Sequence, residues 1–402
     1  MTTISRWRLG VAVALVRLVN EASRRSGRGT GTVVGGTVGL AIDPSVLDGL
    51  SRGRTTILVS GTNGKTTTTA MVAAGWGGEV VTNDSGSNMP AGLVAALASA
   101  PGSAAVLEAD EGWLAEILAR TRPAVVVLLN LSRDQLDRAN EVRQLASRWR
   151  EALADAADVL VVANANDPLV VFAAESARSV MWCDVPTPWL ADAWSCPHCT
   201  RALVRDPTWH CTCGFARPLA LTTVLDDRLS IDGVVLPLNL DLPGRFNEGN
   251  AAMALTALHA VGVDLHGALS RINVVSEVAG RFALRRWGPY TLRLHLAKNP
   301  AGFDALLPSL ARDGEIWVAI NAREADGRDP SWLYDVPFET LRGRLVRCWG
   351  DRRLDLATRL DYAGVSFAIA NETAMTGRVS DVVSVVANYT AFREWLTRTR
   401  PC

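Results

Sequence analysis

The short run Gly61-Thr-Asn-Gly-Lys-Thr66 carries the clearest chemistry of the chain. Gly61, Asn63 and Gly64 shape a tight turn at the start of a helix, where orphan backbone N–H groups and the helix dipole favour an anion. Lys65 adds a cation for the β- and γ-phosphates of ATP, and the Thr66 hydroxyl suits Mg²⁺. Thr62 and Thr67 complete the candidate nucleotide contacts. The longer G-x-x-x-x-G-K-[ST] pattern is not met, because Val59 stands where its first glycine belongs. Further on, Glu108 ends an apolar run. A carboxylate at the C-terminal edge of a parallel sheet is well placed to hold Mg²⁺ against ATP, although an acidic stretch such as Glu108-Ala-Asp-Glu111 also suits a solvated loop.

Two further clusters carry chemistry. Cys196-Pro-His-Cys199 and Cys211-Thr-Cys213 offer four thiolates, a set that suits tetrahedral Zn²⁺ with a structural role. The second knuckle is one residue shorter than the usual ribbon, so His198 and His210 stand as substitute ligands. The stretch Asp326-Gly-Arg-Asp329-Pro-Ser-Trp332-Leu-Tyr-Asp335 offers three carboxylates beside an aromatic, for which loop caps and turns are the structural alternative.

The elements that must position these groups follow from the apolar pattern. Residues 5–24 predict an amphipathic helix, with a Gly-rich stretch (27–39) and a short helix near 44–50 after it. Thr56–Ser60 reads as a strand, the Gly-rich turn follows, and 66–75 continues as a helix. Runs at 104–108, 124–130 and 159–163 alternate with helical segments, which predicts a parallel sheet covered on both faces. Strands at 290–296, 316–320, 345–349 and 365–368 predict a second, smaller Rossmann-like α/β unit. The domain reading is an N-terminal segment (1–50), a central ATP-binding domain (51–288) with a cysteine insert at about 185–217, and a C-terminal α/β domain (289–402).

Composition narrows the function. A chain of 402 residues exceeds the roughly 250–300 residues that a single core serves. Its 41 basic and 41 acidic side chains cancel, which argues against a nucleic-acid partner. Only Lys65 and Lys298 are lysines, so both mark places where a compact ammonium matters. Arg6 and Arg8 precede the apolar run 9–16 as in a leader, but Arg17 interrupts it and no small-residue cleavage site follows. No stretch reaches the ~20 apolar residues of a membrane span. A cytoplasmic protein is expected, with peripheral membrane contact left open.

The Gly61–Thr66 loop resembles the signature of the Mur ligase and folylpolyglutamate synthase superfamily. So do Asn130-Leu-Ser-Arg-Asp-Gln-Leu-Asp137, with Gln135 in place of the usual His, and Gly244-Arg-Phe-Asn-Glu-Gly-Asn250. Gly280-Arg281 is similar to the superfamily's hinge into its last domain. Within it, segments 82–89, 133–138, 296–302 and 326–332, together with the cysteine insert, resemble the MurT family of lipid II isoglutaminyl synthase subunits. The resemblance implies a Mur-ligase-like P-loop domain with a zinc-ribbon insert and a MurT-type C-terminal domain. It implies ATP- and Mg²⁺-dependent amidation of the D-glutamate α-carboxylate of lipid II through an acyl phosphate, at the inner face of the membrane. A GatD-type glutaminase partner would supply the ammonia.

For individual residues the resemblance places Asn247, Asn250 and Arg281 near the nucleotide, and Lys298 either near the nucleotide or acyl phosphate or in a structural loop role. It assigns Asp335 first and Asp329 second to the partner's Cys-His machinery. Many relatives carry a carbamylated lysine, whereas this chain has no lysine between 65 and 298. The alternatives are a folylpolyglutamate-synthase-like or amino-acid-adding ligase, and a zinc-containing nucleotide-binding scaffold without turnover.

Overall fold

The computed structural model describes residues 3–25, 33–83, 87–134, 142–187, 189, 191–225, 227–310, 315–370 and 382–402. The strands of the first sheet are β1 (Thr55–Ser60), β2 (Val81–Thr82), β3 (Ala104–Glu108), β4 (Val125–Leu128), β5 (Leu160–Asn164), β6 (Ser179–Asp184), β7 (Thr222–Leu225), β8 (Arg228–Ile231) and β9 (Val234–Pro237). They lie in the order β2-β3-β1-β4-β5-β6-β7-β8-β9. Pairing is parallel from β2 to β7 and antiparallel from β7 to β9.

Alternation along these strands explains why their runs read as continuous apolar segments. Leu58, Leu107, Val126 and Val161 face one side with Leu93, Ile117 and Trp149, while Ile57, Val106, Val127 and Val162 face the other with Met71, Met253 and Leu255. Helices Pro90–Ser99, Leu114–Thr121 and Val142–Asp155 cover the first face; Lys65–Trp76 and Arg245–Ala260 cover the second. The N-terminal helix Thr3–Arg25 packs on the first layer through Ala12 and Val16.

The second sheet holds β10 (Phe282–Trp287), β11 (Tyr290–Leu296), β12 (Glu315–Ala319), β13 (Leu345–Trp349), β14 (Ser366–Ile369), β15 (Val382–Ala387) and β16 (Arg400–Pro401), in the order β14-β13-β12-β15-β11-β10-β16. One side is cored by indoles: Trp317 lies 5.7 Å from Trp349 and 5.5 Å from Trp395, with Trp287 edge-on at 5.8 Å.

The structure corrects the sequence reading in three places. The Gly-rich stretch is partly helix, Val34–Ile42, because its glycines admit close neighbours: a Cβ at Gly36 would sit 1.7 Å from the Ala91 carbonyl oxygen. Strand β10 pairs with β11 and so joins the second sheet before residue 288, a hairpin that the expected boundary cuts through. The antiparallel trio β7–β9 and the central strand β15 were not expected. β15 lies between β11 and β12 although they are consecutive strands in sequence up to that point, a crossover that periodicity does not show.

Candidate nucleotide and metal site

β1 delivers the chain into the turn, and the helix Lys65–Trp76 leaves it. Gly61 (φ +146°) and Gly64 (φ +88°) adopt backbone conformations that side chains disfavour. A Cβ at Gly64 would also lie 2.7 Å from Asn250 Oδ1, so Asn250 closes over the turn. The turn is pinned by the segment that follows β4. Asn63 N donates to Asn130 Oδ1 at 2.9 Å, Asn130 Nδ2 donates to Asn63 O at 3.0 Å, and Thr62 exchanges hydrogen bonds with Ser132. Donors aimed at phosphate are thus held before any ligand arrives.

The Lys65 ammonium donates to the carbonyls of Gly61 (2.5 Å) and Thr62 (3.2 Å) and to Glu111 Oε2 (2.8 Å). Burial opposes its charge, but Glu111, Glu108 and Asp134 outweigh burial and hold it above the ordinary lysine range. Thr66 Oγ1 donates to Glu108 Oε2 at 2.7 Å, and Asn88 Nδ2 to Glu108 Oε1 at 3.0 Å. The Thr66 hydroxyl and the buried Glu108 carboxylate lie side by side, an oxygen donor set whose chemistry fits Mg²⁺.

The second sheet completes the site. Lys298, just beyond β11, donates to Asp134 Oδ2 at 2.7 Å, and Asn299 Nδ2 reaches both Asp134 Oδ1 (3.0 Å) and Asn63 Oδ1 (3.2 Å). Asn299 also caps the helix Pro300–Leu306 by accepting from Gly302 N. Burial opposes the charge on Asp134, yet Lys298 outweighs it and holds the carboxyl below its usual range. His295 on β11 packs at a tilt against Phe282, 5.0 Å between ring centroids, and burial pushes its imidazole down to about 4, leaving it neutral.

Thr62, Asn63, Gly64, Lys65, Thr67, Glu108, Asn247, Asn250, Arg281 and Lys298 all line one cavity of about 550 Å³. Gly61 and Thr66 are not among its lining residues, but each is next in sequence to one that is. Asn247 is buried and accepts from Asn250 Nδ2 at 3.0 Å. Asp329 and Asp335 are not brought to this cavity. Asp329 accepts from Ser331 N at 2.8 Å, which holds its carboxyl below the usual range, and the half-exposed Asp335 pairs with Arg133 at 3.4 Å. Glu111, Asp134, Asn299 and His295 are site residues that the sequence did not single out. Glu111 had one signal, its place three residues after Glu108 in the same acidic stretch; Asp134 and Asn299 belonged to quoted segments without an assigned role, and His295 to the expected strand 290–296. Gln135 to Asp137 of the expected motif lie outside the described residues.

The sulfurs of Cys196, Cys199, Cys211 and Cys213 lie within 4.8 Å of one another, a soft four-thiol set that fits tetrahedral Zn²⁺. The short second knuckle therefore does not spoil the cluster. His198 is turned instead to Glu175 at 2.7 Å and His210 to the Thr208 carbonyl, so neither is the substitute ligand. Among the described residues no helix is long and apolar enough to cross a membrane.

Comparison with known proteins agrees with this geometry. Residues 59–182 match the Mur ligase middle domain and residues 296–392 match the MurT ligase C-terminal domain. The chain is 29% identical over 425 residues to lipid II isoglutaminyl synthase (glutamine-hydrolyzing) subunit MurT of Staphylococcus aureus (strain N315), covering 96% of each chain. It is 26% identical to the protein of the same name from Streptococcus pneumoniae (strain ATCC BAA-255 / R6), covering 91% and 92%. Its fold is similar to a pseudomurein peptide ligase type C from Methanothermus fervidus, with a TM-score of 0.65 at 20% identity over 86% of this chain and 79% of that one. With a phosphate loop, an assembled two-sheet cavity and full-length relatives in agreement, the chain belongs to the MurT family of Mur-type ligases.

Proposed function

We propose that the chain is the synthetase subunit that amidates the D-glutamate α-carboxylate of the lipid II stem peptide to D-isoglutamine, using ATP and ammonia from a GatD-type glutaminase. One observation carries the reading: the only two lysines, Lys65 beside the first sheet and Lys298 beyond the second, line the same cavity as Glu108. A carboxylate is a poor electrophile. Its oxygen attacks the γ-phosphorus of ATP, ADP leaves, and the acyl phosphate formed is open to attack by ammonia at carbon. Phosphate then departs with the C–O bond pair, and loss of a proton leaves the amide.

The residues of the chain supply charge and enclosure for these steps. Lys65 and the N–H groups of residues 61–65 hold the β- and γ-phosphates, while Arg281 and Lys298 face the transferring group from the second sheet. Thr66 and Glu108 would hold Mg²⁺, which neutralises phosphate charge. Seating Asn299 against Asn63 and Asp134 keeps the two sheets together and water away from the acyl phosphate. Asp335, with Asp329 second, is assigned to orienting the partner's histidine; their exposure outside the cavity suits contact with another chain. The reaction is placed at the inner face of the cell membrane, and the zinc cluster is assigned a structural role.

The test combines the chain, a GatD-type glutaminase, ATP, glutamine and lipid II. The product should show the mass loss of a hydroxyl exchanged for an amino group, and ammonium salts should replace glutamine and glutaminase. Unchanged lipid II while ATP is being hydrolysed overturns the proposal.

A further inference from the structure

The N-terminal helix Thr3–Arg25 has two apolar faces, and only one of them is used by the fold. Ala12, Val16 and Asn20 are buried against the helix layer behind them. On the outer side Trp7, Val11, Ala14 and Leu18 recur at helical spacing, with Trp7 70% and Leu18 66% exposed. The same helix concentrates positive charge in a chain that is neutral overall: it carries five arginines against one acid, Glu21. Arg8 and Arg17 are exposed and donate to the neutral carbonyls of Ile42 (3.2 Å) and Ala98 (2.6 Å), with no acidic partner among the described residues. Arg24 and Arg25 share the single glutamate, each at 2.9 Å.

The neighbouring helix carries exposed apolar side chains as well. Gly35 and Gly36 let the next helix, Val34–Ile42, sit against Asn20 on one side and against Ala91 on the other. That packing sets Val33 (47% exposed) and Val34 (60%) beside the start of helix Pro90–Ser99, where Met89 is 47% exposed and lines the cavity wall. Exposed apolar side chains thus stand on the N-terminal helix, on the helix packed against it and, at Met89, in the cavity wall.

From this we infer that the outer face of the N-terminal helix is a seat for an anionic lipid surface, lying in the headgroup plane and presenting the cavity mouth to a membrane-anchored substrate. Indole and leucine enter the interface while arginines meet lipid phosphates; each basic group near such a surface and each buried apolar side chain adds to the attraction. A protein partner would require acids to match the arginines, whereas an anionic bilayer supplies them over the whole length of the helix. The choice of a lipid-linked substrate rests on the function proposed above, but the lipid seat itself is testable without it.

The experiment floats the full chain, in complex with its glutaminase partner, with vesicles of phosphatidylglycerol or of phosphatidylcholine. Binding to phosphatidylglycerol should exceed binding to phosphatidylcholine and weaken as salt rises from about 0.1 to about 0.5 M. The double variant Trp7→Glu/Leu18→Glu should lower the bound fraction at least about tenfold. A second variant, Arg24→Gln/Arg25→Gln, leaves the apolar stripe intact and should lose the lipid preference. Equal binding of the wild type to both lipids, or variants that bind as the wild type does, overturns the inference. So does a double variant that keeps its lipid binding but loses its glutaminase or a second copy in sedimentation, since the face would then be a protein interface. Amidation separates the two claims. The double variant should lose turnover of vesicle-embedded lipid II and keep turnover of a soluble short-chain analogue. If the wild type turns over neither substrate, the proposed function fails while the flotation result still decides the lipid seat.

Discussion

The phosphate loop and the cysteine insert both hold a compact turn, by opposite means. Behind the loop lies a large core, and every strand flanking it is buried on both faces. The segment that follows β4 then holds the turn directly, through the Asn130 side chain and the Ser132 backbone. The insert has only a small core, Leu203, Trp209 and Phe215 around Cys196 and Cys211, closed from the first sheet's side by Val171. So small a cluster buries too little to fix a fold by itself, and four thiols converging within 4.8 Å would supply the constraint by holding a metal. Preorganisation therefore comes from the core where the core is deep, and from ligand chemistry where it is shallow.

Three experiments would break or sharpen this contrast. The largest effect is expected in the insert, because structural zinc contributes on the order of 10 kcal/mol to small metal-folded modules. Cys211→Ser should release zinc and open residues 194–217 to hydrogen exchange while ADP binding to the loop persists; a protected insert in the metal-free variant would show that its small core suffices. Next comes Lys65→Met. Turnover should fall by about 10²–10³-fold, the scale of one lost transition-state donor, with zinc content unchanged. If its kcat stays within a few-fold of the wild type, the ammonium is not steadying phosphate.

The smallest effect concerns pH. Asp167, buried beside the loop and accepting from the N–H groups of Leu131, Leu169 and Val170, is pushed by burial up to about 6. Since this folded value lies above the ordinary carboxyl value of 3.8, its contribution is fully present below 3.8 and is lost as pH rises through about 6. Relative to Asp167→Asn, the wild type should lose up to roughly 3 kcal/mol of stability between pH 4 and 7 in denaturant melts. A difference that is flat with pH would mean that Asp167 ionises as freely as an exposed carboxyl.

Most of the architecture was legible because buried parallel strands leave continuous apolar runs, as at 124–130 and 159–163. The segment Val34–Ile42 was not. Glycine reads as a helix breaker, and only the neighbours Asn20 and Ala91 show that it serves close packing here. Strand β15 was missed for a different reason, since its place between β11 and β12 is a property of the crossover and not of its own residues. At the site, Glu108 could be named from its position at the end of a strand, whereas Glu111 could not, because its role depends on the direction in which Lys65 folds back.

The sequence by itself determined the local chemistry: the phosphate turn, the thiol set and the rarity of lysine, which singled out Lys65 and Lys298 without saying why. Such features are written in neighbouring residues and in composition, so no fold is needed to see them. Only the tertiary structure decided that the two lysines, 233 positions apart by their numbers, line one cavity, with Lys298 held by Asp134. It decided equally that Asp335 lies outside that cavity and that Trp7 faces outward. The reason is physical. Spacing along a chain sets which groups share a turn or a strand face, but which strand ends meet is set by the order of strands in two separate sheets, and that order follows from burying all their faces at once.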